Sequence, residues 1–186
     1  MESEVVEDVA EWLQAVIGVP FVVVGGSAIE RSVPVGTKGI DVLVRTSDWE
    51  RIDRALEQRK DASPLEPMSG TIRGTVLTIG HSKIDLEFIS GKPFSGRASP
   101  DSFIEFVRTE GSRVFNGIRY ATPAVVFYMR LVAPGDWRAY LPSIERDLDA
   151  GIPEATLDRA IGVAERFGLG STVRERVEYL RKKLWK

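Results

Sequence analysis

From Val5 to Ile17 the apolar residues return every three or four positions: Val5, Val9, Trp12, Leu13, Val16 and Ile17. That spacing predicts an amphipathic helix, closed by Gly18. The pattern then changes. "FVVV", from Phe21 to Val24, is a continuous apolar run of mostly β-branched residues and predicts a buried strand. "GGSAIER" reads as a turn into a short helix, and "GIDVLV" as a second strand. "SDWE", from Ser47 to Glu50, has the form of a capping box and predicts a helix running to about Lys60. "DASPLEPMSG" is expected to be a loop.

"TIRGTVLTIG" and "SKIDLEFI" predict two adjacent strands. After the loop "KPFSGRASP", "SPDSFIEFV" predicts a short helix with Pro100 in its first turn. Asn116-Gly117 lies between two extended runs in "SRVFNGIRYA", a strong hairpin signal. From Thr122-Pro123 onward the pattern is helical: Val125 to Leu131, about Trp137 to Leu148, Glu154 to Phe167, and Thr172 to Lys186. In the last of these, Val173, Val177, Leu180 and Leu184 form one apolar stripe that needs a packing partner. The expected architecture is α+β. A mixed α/β part covers residues 1–121, and a C-terminal helical region covers 122–186.

Composition narrows the chemistry. In 186 residues, 43% are hydrophobic and 28% charged, the balance of an ordinary globular core. A net charge of −2 argues against a chain coated with basic residues for indiscriminate nucleic-acid binding. With no cysteine, disulfides and thiolate zinc sites are excluded. The single histidine, His81, falls between two predicted strands and is read as a turn residue. No apolar run approaches membrane-spanning length, and the acidic N-terminus lacks the basic start of a signal peptide. The expectation is a cytoplasmic protein without a membrane partner.

Three features carry candidate chemistry. Gly25, Gly26 and Ser27 sit where a strand gives way to a helix. Glycines allow close backbone approach to a ligand, free helix-start N–H groups favour an anion, and Ser27 adds a hydroxyl. Neither a dinucleotide fingerprint nor a Walker loop fits these residues. The second and third features are Asp41 in "GIDVLV" and Asp85 in "KIDLEFI", each framed by large apolar neighbours. A carboxylate so placed must be solvated, paired or metal-bound. Hard cations such as Mg2+ take carboxylate oxygens, with phosphates completing the shell.

Taken together, these motifs resemble the nucleotidyltransferase superfamily with the polymerase-β-like fold. The likeness is to its small stand-alone prokaryotic members, some of which belong to toxin–antitoxin or phage-defence pairs. It spans roughly residues 5 to 150. Gly25-Gly26-Ser27 match the turn after the first strand. Asp41, in "TKGIDVLV", matches the second acid, Asp85 the third, and "ATPAVVFYMRLVA" the Pro-led helix that follows the sheet. The resemblance implies a nucleotidyltransferase-like mixed twisted sheet with flanking helices. It also implies Mg2+ (or Mn2+) held by Asp41 and Asp85, and a nucleoside triphosphate cradled by Gly25, Gly26 and Ser27. RNA, a protein or a small molecule would serve as hydroxyl acceptor.

One position departs from the pattern. Where the family places its first acid, this chain has Gly39. Glu87, on the same face as Asp85 and one pleat along, is the candidate helper at the metal. Glu30 and Asp48 do not fall at the missing position. Lys38 and Arg31 are candidate phosphate contacts. Three readings follow: an inefficient transferase, a catalytically inactive relative that senses a nucleotide or binds a partner protein, or a structural domain that binds no nucleotide.

Overall fold

The computed structural model describes residues 3–33, 39–79 and 82–184. Lys38 and His81 lie outside these residues. Helix α1 (Ser3–Val16) leads to strand β1 (Val22–Val24), which runs straight into α2 (Gly25–Glu30). Strand β2 (Gly39–Val44) is followed by a 3-10 turn at Thr46–Asp48 and helix α3 (Trp49–Glu57). Strands β3 (Glu66–Ser69), β4 (Ile72–Ile79) and β5 (Ser82–Ser90) come next, then helix α4 (Pro100–Thr109). The hairpin β6 (Ser112–Phe115) and β7 (Ile118–Ala121) completes the strands. The remainder is helical: α5 (Pro123–Val132), α6 (Leu141–Asp149) after a 3-10 turn at Trp137–Tyr140, α7 (Ala155–Arg166) and α8 (Gly170–Leu184).

The seven strands make one mixed sheet in the order β3-β4-β5-β2-β1-β7-β6. β2 lies parallel to β5 and antiparallel to β1, and β1 is parallel to β7. This is an α+β architecture with the C-terminal helices expected from the sequence. The hairpin forms at Asn116-Gly117, both with positive φ (49° and 80°), as a two-residue turn matched to strand twist requires. Ser99 caps α4, accepting a hydrogen bond from the Ser102 N–H at 3.1 Å.

Three expectations fail locally. The segment "SDWE" makes no capping box. Asp48 precedes α3 with helical backbone (φ −90°, ψ −8°) and no capping hydrogen bond. An N-cap side chain reaches the helix start from extended backbone, which the 3-10 turn has removed. The helix also stops at Glu57, short of Lys60. The expected loop from Asp61 to Gly70 contains β3, an edge strand whose four residues are all exposed.

The buried apolar residues form one cluster from Val6 to Leu180. Helix α5 packs against both α2 and α7. An aromatic group ties the sheet side to the helical region: Phe103 lies 5.3 Å from Phe167, 5.6 Å from Phe94 and 5.8 Å from Tyr128, centroid to centroid. The Tyr128 hydroxyl donates to the Phe94 carbonyl. Val173, Val177 and Leu180 of the C-terminal stripe are fully buried, with α8 against α7. Among the described residues, no helix is long and apolar enough to cross a membrane.

Candidate active site

The register of β2 on β5 sets Gly39 beside Asp85 and Asp41 beside Glu87. Paired residues of neighbouring strands share a face, as do residues two apart on one strand. All four positions therefore face the same way. On the reverse face Ile40, Val42, Leu86 and Phe88 are fully buried. Burial of each stabilises the fold by about 1.5–3 kcal/mol. A one-residue slip would drive the carboxylates into that core, so the apolar face fixes the placement of the acids.

β1 contributes from the other side, pairing Val24 with Asp41. The chain then turns at Gly25, where φ is +62°. A Cβ there would come within 1.9 Å of Asp41 Oδ2. Only glycine allows this conformation and this close approach together. Ser27 is buried, and its hydroxyl donates to the Gly39 carbonyl at 2.8 Å. It ties α2 to the start of β2 and does not line the cavity described next.

That cavity, of about 580 Å3, gathers most of the expected site: Gly25, Gly26, Gly39, Asp41, Asp85 and Glu87 all line it. The volume suits a nucleotide-sized ligand. The helical region adds Val126, Met129 and Arg130 of α5, Tyr140, and Ser143 and Arg146 of α6 to the cavity lining. The expected phosphate contact Arg31 is elsewhere. It ion-pairs with Glu7 and stacks over Tyr120, 5.0 Å from the ring centroid.

Burial and the neighbouring Glu87 carboxylate push Asp41 up to about 7, eased by the positive charge of Arg130. Glu87 is raised by burial and by Asp85. Asp85 itself is exposed. Arg130 does not neutralise Asp41 by direct pairing, because its guanidinium donates to Asp147. The acids thus include a half-buried carboxylate, Asp41, whose charge is disfavoured by burial and by Glu87.

Among the described residues, no three His, Asp or Glu side chains stand together as a ready-made metal cage. What the site offers is a pair of neighbouring carboxylates, Asp41 and Glu87, with Asp85 nearer solvent. This fits a cation such as Mg2+, which binds one or two carboxylates and takes its remaining ligands from phosphates and water.

Gly39 is more than a missing acid. A Cβ there would lie 2.9 Å from the Asp85 carbonyl oxygen and 3.3 Å from the Asp85 Cβ. The two strands close tightly at the position where a first acid would stand. Arg130 was not visible as a site residue in the sequence, although one signal existed: a single charge inside the apolar run "PAVVFYMRLVA".

Compared by sequence, the chain matches no protein-family model and no curated protein. Solved structures give the likeness. The polyadenylate synthase of Megavirus aligns with a TM-score of 0.50 at 12% identity, over 88% of this chain and 37% of that one. A candidate nucleotidyltransferase from H. pylori aligns at 0.46 and 11%, over 98% and 94%. ANT(2")-Ia, in complex with adenylyl-2"-tobramycin, aligns at 0.43 and 15%, over 98% and 95%. The fold is nucleotidyltransferase-like. The chain spans about 37% of the length of the polyadenylate synthase.

Proposed function

We propose that this protein is a metal-dependent nucleotidyltransferase that moves a nucleoside monophosphate from a nucleoside triphosphate to a hydroxyl on RNA, a protein or a small molecule. The observation that carries the reading is the shared cavity, lined by a glycine turn, three carboxylates and two arginines. Asp41 and Asp85, with Glu87 as helper, would hold Mg2+ or Mn2+. When bound, the cation screens the charge of the phosphates and polarises the phosphoryl group under attack. Gly25 and Gly26 leave room for the triphosphate to approach the backbone. In the transfer, the acceptor oxygen bonds to the α-phosphorus as its bond to the bridging oxygen breaks. Pyrophosphate leaves, and the acceptor proton passes to a base. Turnover is slow because Gly39 supplies no carboxylate.

The test is incubation with labelled triphosphates, Mg2+ or Mn2+ and a cell lysate. Label transfer that Asp85→Ala abolishes is the expected result. Transfer untouched by Asp85→Ala would overturn the assignment.

A second reading rests on Gly39. The tight contact with Asp85 leaves no free space for an acid there. A catalytically inactive relative, sensing a nucleotide or binding a partner protein as in a toxin–antitoxin pair, fits that observation. It is supported by a nucleotide-induced rise in melting temperature with no transfer to any acceptor.

A further inference from the structure

Asp147 is fully buried, and each of its oxygens serves a different arginine. Oδ2 accepts from Arg130 Nη1. Oδ1 accepts from Arg146 Nε at 3.1 Å and Nη2 at 3.0 Å. Arg130 is itself 8% exposed, an unusual depth for a guanidinium. Both arginines line the cavity that the acids also line. One buried carboxylate against two guanidiniums leaves one net positive charge on that wall. Two arginines oriented by a shared buried partner keep several N–H donors for a tetrahedral anion. Simple stabilisation is a poor explanation, since a buried ion pair gains little over an apolar one of similar volume.

We infer that Arg130 and Arg146 form a phosphate-binding site on the helical wall, with Asp147 as the positioning residue. The inference rests on the nucleotide reading above only for the source of the phosphate. That source is either the terminal phosphate of the triphosphate or a phosphate carried by the acceptor.

Inorganic tripolyphosphate, titrated calorimetrically into the full chain in chelator, isolates this wall from any metal. Binding should occur and weaken with salt. Arg146→Gln and Arg130→Lys should each lower affinity about tenfold, the size of one charge-assisted hydrogen bond. Arg119→Gln on β7, outside this cavity, should change nothing. If Arg130→Lys fails to fold, the half-exposed Arg146 decides alone. No binding by the wild type, or unchanged affinity in Arg146→Gln, overturns the proposal. Repeating the titration with ATP and Mn2+ present then names the source. Competition identifies the triphosphate, and simultaneous binding identifies the acceptor. Tripolyphosphate binding through the arginines without any ATP binding would remove the nucleotide reading and leave this site standing.

Discussion

Asp41 ties the site to the stability of the chain. Its folded-state pKa, about 7, lies above the ordinary carboxylate value of 3.8. Between those values the native state holds a proton that the unfolded state has lost, so stability falls as pH rises through the window. In chelator, the melting temperature should decline from pH 5 to pH 8. Asp41→Asn should flatten that decline, gaining about 1–4 kcal/mol over wild type at pH 8 and little at pH 5. Parallel melting curves check this; identical slopes in the two proteins would remove Asp41 as the cause. Gly25→Ala should weaken both fold and site, because its Cβ would collide with Asp41 Oδ2 at a positive φ. A loss of about 1–3 kcal/mol is expected in denaturant titrations. At Gly39, alanine and aspartate separate two effects. Gly39→Ala should destabilise by forcing the strands apart at the Asp85 carbonyl. Gly39→Asp should add carboxylate repulsion in chelator and recover part of the loss with Mn2+ and ATP, which alanine cannot. Equal recovery in both variants would show that an added acid gains no metal.

At the scale of elements, legibility followed burial. β2 and β5 were readable because apolar residues alternate with acids, and alternation is what a strand with one buried face imposes. The Asn116-Gly117 hairpin was readable because its turn demands those residues. β3 was not, since Glu66, Pro67, Met68 and Ser69 are all exposed and no core imprints a pattern on them. The capping box misled because Ser47 and Asp48 are drawn into a 3-10 turn, an outcome set by backbone geometry beyond four residues. Arg130 was missed because its meaning depends on Asp147, seventeen residues later and on another helix. The contact between α5 and the 3-10 turn at Lys92–Phe94 gives a test at this scale. Tyr128→Phe removes the only hydroxyl bonded to the Phe94 carbonyl among the described residues. A loss of about 1–3 kcal/mol in chemical unfolding is expected, and a neutral substitution would mean that the carbonyl finds another donor.

Across the whole molecule, the sheet supplies an acid wall and the C-terminal helices supply a basic one. The secondary structure changes at residue 122, but the core crosses that boundary, and so does the cavity. The two sets of side chains line one cavity. Among the described residues the acids form no ready-made metal cage, so a metal there takes further ligands from phosphate and water. A ligand that is anionic and carries a divalent cation satisfies both walls at once. Calorimetric titration of ATP into the wild type and Asp41→Asn, each with Mn2+ and with chelator, tests this most directly. The wild type should bind ATP more tightly with Mn2+ than in chelator, and Asp41→Asn should lose most of that metal-dependent gain while still folding. ATP binding that is equally strong with and without Mn2+, or a gain that survives in Asp41→Asn, would contradict it.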